Sequence, residues 1–339
     1  MSFLIRQTLI YAIPLMIVAL AGIFAERSGV INLALEGIMI FGAFIGVLFV
    51  RILQATGCMD IAKEASNWAA LQGYMFLTML AAAALGALFS MLLAFAAIKL
   101  KADQTIGGTA LNMLAPALVL FLIRVIVNQN NMTLISGDSA TWFMIKKTML
   151  GFAKNDKLNF FQETFLNKVY LSTYICIIIF IVLSIVLYKT RFGLRLRACG
   201  ENPQAAASLG INVVKMRYAG VTISGALAGM GGFVYAMTTA NCSSNGDVAG
   251  FGFLALAVMI FGNWKPLPIL GASLFFALFK VIAALNATLT FLPKFEGVKE
   301  ISNFYQMLPY IVTMIVLIFT SKNSQAPKAE GIPYDKGSR

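Results

Sequence analysis

Nine apolar runs, roughly 8–24, 31–53, 75–98, 106–127, 169–188, 217–238, 250–262, 267–288 and 305–320, take up most of this chain. Most approach the ~20 residues with which an α-helix crosses the hydrocarbon core of a bilayer. Lipid offers no hydrogen bonds, so only helices and closed barrels can span it. The short alternating segments of a barrel are absent. The expected fold is therefore all-α, a polytopic membrane helix bundle of about eight to ten transmembrane segments. The 250–262 run is short for a full crossing, and a broken or re-entrant segment is expected near Gly29–Gly42. The first run, near Thr8, lacks a small-residue cleavage site and reads as a retained span.

Composition narrows the chemistry. Only 12% of the residues are charged, against about 25% in soluble domains. The net charge of +12 comes from residues in loops and at span ends. The positive-inside rule and anionic lipid account for them, and no nucleic-acid partner is implied. Histidine is absent, which removes the commonest metal ligand and acid–base group. Cys58, Cys176, Cys199 and Cys242 have no metal-like spacing. We expect no catalytic residues, no metal site and no enzyme activity. The chain also lacks a Gly-x-x-x-x-Gly-Lys-[Ser/Thr] motif, so no ATP or Mg is expected to bind to it.

No linker divides the chain. Residues 1–320 read as one transmembrane domain with a cytoplasmic loop at 189–217, and 321–339 as a polar tail expected to be disordered. Lys99, Lys101, Lys189, Arg191, Arg195, Arg197, Lys215, Arg217, Lys265 and the tail lysines mark the cytoplasmic side. The segments 57–72, 129–168, 241–248 and 293–303 then face outward. Nine strict crossings put the N-terminus outside, and a re-entrant segment near Gly29–Gly42 would reverse that.

Within the 189–217 loop, Asn202 suits an N-cap, Pro203 the first helical position, and Gly210 the left-handed cap that ends a helix. Asn212 can then cap the next helix. A helix of about seven residues is not stable alone in water and must pack on something. Either it rests on the bundle, or its alanine-rich surface inserts into a groove on another protein.

Several polar residues fall inside the runs. Asn32 and Glu36 are four apart and predicted to share a helix face. A charge in a span faces a cavity or a partner; the alternative is a hydrogen bond that stitches a broken segment together. Thr109 and Asn112, three apart, line a path or bond between helices. Lys280 either lines a path or snorkels to the outer interface. Gly42-x-x-x-Gly46 and Gly225-x-x-x-Gly229 read as packing sites.

The run from Arg195 through Cys199-Gly-Glu-Asn-Pro-Gln-Ala-Ala-Ala-Ser-Leu-Gly-Ile-Asn212 to Gly232 resembles the signature of bacterial ABC-importer permeases of the sugar/branched-chain amino acid type. Phe24-Ala-Glu-Arg-Ser-Gly-Val-Ile-Asn-Leu-Ala-Leu-Glu-Gly37, continuing to Phe44, and Phe261-Gly-Asn-Trp-Lys-Pro-Leu-Pro268, continuing to Ala272, resemble its nucleoside branch. The long outer loop and Lys280 depart from that pattern. The resemblance implies a plasma (inner) membrane protein that pairs with a second permease, usually a different chain. It also implies two cytoplasmic ATPases, which carry the ATP and Mg, and a substrate-binding lipoprotein or periplasmic protein. The implied ATPase-coupling positions are Glu201, Asn202, Pro203, Ala205, Ala206, Ala207, Gly210 and Ile211. Asn32, Glu36, Thr109, Asn112 and Lys280 are the candidates for the solute path, with Thr109 and Asn112 suited to a ribose hydroxyl or a base edge. A simple-sugar permease and an ion-coupled secondary transporter are the alternatives.

Overall fold

The structure, a computed structural model, describes residues 2–64, 67–135, 139–146, 159–285, 301–320 and 325–335. The central part of the 129–168 loop and residues 293–300 lie outside the described residues. The helices are α1 (Ser2–Glu26), α2 (Leu35–Ala55), α3 (Cys58–Glu64), α4 (Trp68–Ala94, extended by a π-helical turn, Phe95–Lys99), α5 (Gln104–Val127), α6 (Phe160–Phe165), α7 (Leu171–Lys189), α8 (Arg191–Glu201), α9 (Pro203–Ser208), α10 (Val213–Thr238), α11 (Phe251–Phe261), α12 (Pro266–Ala284) and α13 (Ile301–Thr320). Among the described residues the strands are β1 (Met144–Ile145) and β2 (Val169–Tyr170), paired antiparallel with Met144 opposite Tyr170. Seven of the helices, α1, α2, α4, α5, α7, α10 and α12, are long and apolar enough to cross a membrane. The 11-residue α11 and the Met307–Val316 part of α13 are shorter.

Two helices hold the centre. In α1 and α10, 83% of the most apolar stretch is buried, against 22% in α5 and 28% in α7. The last two therefore sit at the periphery, and α7 turns Ile178, Ile181, Val182 and Ile185 outward, a lipid-facing surface. Neighbouring backbones approach α10 along a stripe of small residues. A Cβ on Gly42 would run into the Gly229 carbonyl, and one on Gly86 would lie 2.7 Å from the Gly225 carbonyl oxygen. Lipid tails are as apolar as side chains, so helices in a bilayer associate through this kind of close packing. The four glycines of the two Gly-x-x-x-Gly pairs do pack as the sequence predicts: Gly46 lies under the Phe233 ring and Gly225 against Ser90.

The segments sort into two ends. Arg6 reaches the Asn167 carbonyl (3.5 Å), Arg51 the Thr133 carbonyl (2.7 Å) and Gln72 the Phe143 carbonyl (3.2 Å), and Met132 pairs with Ser244. The opposite end gathers the α1–α2, α4–α5 and α11–α12 connections, α8, α9 and the tail. Among the described residues, the basic residues used above to assign the cytoplasmic side lie there.

The break expected near Gly29–Gly42 falls at 27–34, between two helices. The chain turns at Gly29 (φ 92°) and climbs back into the bundle. The Ile31 amide meets the Gln104 side chain at the start of α5 (2.7 Å), and the Leu33 carbonyl meets Asn112 (2.7 Å). Asn112 lies about 12 Å further along α5 at 1.5 Å per residue. α2 thus begins inside the bundle. It runs unbroken from there, so the alternation of sides is kept.

The tail, for which composition predicts disorder, is folded over 325–335. The Ala329 amide donates to the Gly200 carbonyl (2.8 Å) and the Gln325 amide to Asn263 Oδ1 (2.9 Å). Its polar backbone is satisfied by the rest of the chain, which composition cannot register.

Replacing Gly42 with valine should cost the bundle about 1–3 kcal/mol or more through overpacking, read as a lower melting temperature in detergent. Gly73→Ala, which meets nothing within 4 Å, should leave the melt unchanged or raise it.

Candidate functional site

At the basic end, the local signals of the 189–217 loop are realised. Asn202 Oδ1 accepts the Ala205 amide (3.0 Å), Pro203 opens α9, and Gly210 takes φ 79°. Asn212 Oδ1 accepts the Lys215 amide (3.0 Å) and starts α10. The six-residue α9 rests on its neighbours through Ala206, which is 2% exposed and packs with Cys199 and Val213. Ala207 and Ile211 lie beside this cluster, half-buried. Ala205, Ser208 and Leu209 point away, Leu209 with 82% of its surface exposed. The two readings of this helix are compatible: it leans on the bundle by one side and shows an apolar side to solvent. Glu201 pairs with Arg27 at 3.1 Å. Glu201 is about half exposed (47%) and Arg27 mostly covered (13%), so the pair sits at the edge of the bundle and sets a position.

A second tie was not anticipated as such. Trp264 Nε1 donates to Glu26 Oε2 (2.5 Å), and Tyr188 donates its hydroxyl to the Trp264 carbonyl (2.8 Å). The Arg197 guanidinium lies over the Tyr188 ring, 4.8 Å from its centroid. The ends of α1, α7, α8 and α11 are thereby joined.

Inside the bundle the predicted path residues separate. Asn32 and Glu36 do not share a helix face, because α2 starts only at Leu35. Asn32 donates to Ser224 of α10 (2.9 Å) and accepts the Ala34 amide (3.2 Å). Asn112 bridges the Leu33 carbonyl and the Gly37 amide (2.7 and 2.8 Å). Together these two asparagines satisfy the start of α2. Thr109 does not join them. It is exposed on α5, and its hydroxyl returns to the carbonyls of Thr105 and Ile106 (both 3.0 Å).

Glu36 caps a different helix. Its Oε1 accepts the Gly250 amide (3.0 Å), and its Oε2 those of Gly252 (2.5 Å) and Phe253 (3.1 Å), the orphan donors at the start of α11. Only glycine fits at 252, where a Cβ would lie 2.5 Å from the Glu36 backbone. Lys280 grips the same turn from α12. Its Nζ, 2.7 Å from the Ala249 carbonyl and 3.3 Å from the Tyr310 hydroxyl, also lies 5.2 Å from the Phe251 ring centroid. Phe251 packs against Tyr235 and Tyr11, centroids 4.7 and 5.9 Å away. Lys280 is buried and does not snorkel. Glu36 and Lys280 thus act on one turn, as opposite charges on its amides and on a carbonyl.

A cavity of about 630 Å³ opens at the far end of α5, lined by Leu120, Phe121, Arg124, Asn130 and Asn245. Arg124 donates to Asn130 Oδ1 (3.0 Å), and the Phe121 ring is 64% exposed. Thr109, Met113, Ala117, Phe121 and Arg124 form an exposed stripe along α5 that leads to it. The sequence hinted at this only through Arg124 near a span end.

Residues 4–320 match the protein family described as branched-chain amino acid transport system / permease component. The chain is 41% identical to the guanosine ABC transporter permease protein NupQ of Bacillus subtilis, across 100% of this chain and 98% of that one. It is 39% identical to the nucleoside ABC transporter permease protein NupC of Lactococcus lactis, across 99% and 98%. A second Lactococcus lactis protein, nucleoside ABC transporter permease protein NupB, is 35% identical over 30% of this chain and 29% of its own length. No solved structure matches significantly.

Glu36→Ala would leave three amides unpaired, that of Gly252 buried and those of Gly250 and Phe253 partly buried, at about 1–3 kcal/mol for each buried group left unsatisfied. The expected outcome is a large fall in melting temperature, with a smaller fall for Glu36→Gln, which keeps an acceptor.

The tail carries a titratable anchor. Burial pushes the Glu330 carboxyl from its usual 4.5 up to about 7, with the Glu26 carboxyl and Arg27 pulling partly the other way. A raised carboxyl binds its proton more tightly when docked, so docking is firmest at low pH and weakens as pH climbs from about 4.5 to about 7. Protease cleavage of the tail in membranes should rise across that window and then level off. Glu330→Gln should flatten the profile.

Proposed function

The chain belongs to the branched-chain amino acid transport system / permease component family, and from that premise we propose that it is the permease subunit of an ABC importer for nucleosides. The observation that carries this reading is end-to-end similarity to two permeases named for guanosine and for nucleosides. Separate ATPase subunits supply the energy, since this sequence has no P-loop. A second, different permease completes the path; the two matching Lactococcus lactis permeases, NupC and NupB, favour such pairing. A substrate-binding lipoprotein or periplasmic protein delivers the solute.

In this reading α9 is the ATPase contact. Ala205, Ser208 and Leu209 enter a groove on the ATPase, and Ala206 passes the motion to α8 and α10. α10 is one unbroken helix of 26 residues running into the centre of the bundle. A push on its first turn therefore shifts it against α2 and α4 along the glycine stripe. Small residues at 42, 86, 225 and 229 suit such a shear, and the Phe233 ring seated over Gly46 is the side chain that must ride with it.

The solute path runs along the exposed stripe of α5, closed on its other side by the second permease. That stripe holds a threonine, an alanine and an arginine, a poorer surface for lipid than the isoleucine face of α7. The outer cavity is where the solute arrives: Phe121 stacks on a nucleobase, while Asn130, Asn245 and Arg124 offer hydrogen bonds. Its volume is in the range of small-molecule sites, about 300–1,000 Å³. Asn32, Glu36, Asn112 and Lys280 act behind this surface, fixing the helix starts that form the wall. Ion coupling is disfavoured because both oxygens of Glu36 accept backbone amides.

Cells with and without the gene, given labelled nucleosides, nucleobases and pentoses, test the reading. Nucleoside uptake should depend on the gene. Ala205→Arg, which wedges a bulky charge into the ATPase contact, should cut uptake by about tenfold or more while the chain still reaches the membrane. Gene-dependent pentose uptake without nucleoside uptake, or full uptake by Ala205→Arg, would overturn it.

A further inference from the structure

The segment 325–335 crosses the whole basic end of the bundle. It begins at the α11–α12 turn, where the Gln325 amide meets Asn263. Ala329, 6% exposed, bonds through its amide to Gly200 at the end of α8 (2.8 Å). Glu330 lies beside Glu26 and Arg27. Gly331 sits over Ile31 in the α1–α2 connection. The Tyr334 ring packs on the Cys199–Ala206–Val213 cluster that seats α9. The Asp335 carbonyl accepts from Gln204 of α9 (2.8 Å), and its carboxylate pairs with Lys101 before α5 (3.1 Å).

One bond stands out energetically. Arg217, in the first turns of α10, is 1% exposed and heads the fully buried side chains by volume. Its Nη1 donates to the Ile332 carbonyl at 2.9 Å. A buried guanidinium left without an acceptor is costly, and this acceptor belongs to the tail. The seat of the six-residue α9 and the partner of a buried charge thus both draw on a segment more than a hundred residues away.

We propose that this strap is a working part of the transport cycle, locking α9 to the α1–α2 turn and to the start of α10 so that they move as one body. The inference rests on α9 being the ATPase contact. Without the strap, the ATPase can still dock on Ala205 and Leu209, but α9 tilts on its seat and the displacement is lost before it reaches the spans. Tyr334, Arg217 and Ala329 are positioning residues in this scheme.

The test uses the assembled transporter, with both permeases and the ATPases, and compares the full chain with one ending at residue 324. The expected result is an assembled complex that still hydrolyses ATP and moves about tenfold fewer solute molecules per ATP. Unchanged solute per ATP would overturn the proposal. If the truncated chain fails to assemble, Tyr334→Ala should reproduce the uncoupling and Tyr334→Phe should not; equal, full coupling in both would also overturn it. A second arm joins the strap to α9 by a disulfide in the Gln204→Cys, Asp335→Cys double variant. Under the proposal, oxidation leaves coupling as in the parent chain. Loss of transport that a reductant restores would mean that the strap must release α9, which contradicts motion as one body. The two readings fail differently: normal uptake by Ala205→Arg removes the ATPase contact itself, whereas a dead Ala205→Arg beside a normally coupled truncation removes only the strap.

Discussion

Two helices of this protein start in the interior of a membrane bundle, and much of the architecture follows from the need to satisfy their first amides. Water cannot reach those groups, and each one left alone costs several kcal/mol in lipid. α2 meets the need with neutral amides, Asn32 and Asn112. α11 meets it with the Glu36 carboxylate, which takes three amides at once. A carboxylate at a helix N-terminus also answers the positive end of the helix dipole. The cap of α11 belongs to α2, so these two short-reaching helices are bound to each other, and Lys280 adds α12 to the same knot.

That arrangement divides labour between charge and shape. The charged and amide side chains are spent on fixing helix ends, where geometry is over-determined. Contacts of α10 with α2 and α4 include close backbone approaches at Gly42, Gly86, Gly225 and Gly229, beside the Phe233 ring over Gly46 and a Ser90 bond to the Val221 carbonyl (3.2 Å). A transporter needs both properties: a wall that keeps its form and a surface along which it moves. The exposed stripe on α5 belongs to neither group; in the proposed reading a second permease covers it.

Much of this was legible in the residues. The Asn202-Pro203…Gly210-Ile-Asn212 pattern specifies a cap, a first turn, a stop and a new cap, all local, and each appears as read. The small-residue spacing at 42–46 and 225–229 pointed to close packing for the same reason. Partners distant in sequence could not be read. Glu36 was recognisable as a buried charge in need of partners, but nothing near it pointed to amides at 250–253. Asn32 and Glu36 were assigned to one face because helical spacing was extended three residues too far back, across a turn opened by Gly29. Polar composition said nothing of a tail whose hydrogen bonds are completed by Gly200, Asn263 and Arg217.

In the proposed reading, where α9 is the ATPase contact, the same physics accounts for the strap. A helix of six residues has no stability of its own, and a lever must be stiffer than the load it moves. α9 buries one alanine fully, far too little to resist a pull from a bound ATPase. Stiffness must come from elsewhere, from α8, the first turn of α10 and the tail, which meet at one cluster. The tail packs Tyr334 on the cluster that seats α9, accepts from Gln204 at the Asp335 carbonyl, and takes the Arg217 Nη1 donor at the Ile332 carbonyl. An element docked by its own backbone amides and by the carboxylates of Glu330 and Asp335 can loosen without unfolding the bundle. In the proposed reading, the segment that stiffens α9 is also a place where coupling can be weakened while the spans keep their positions.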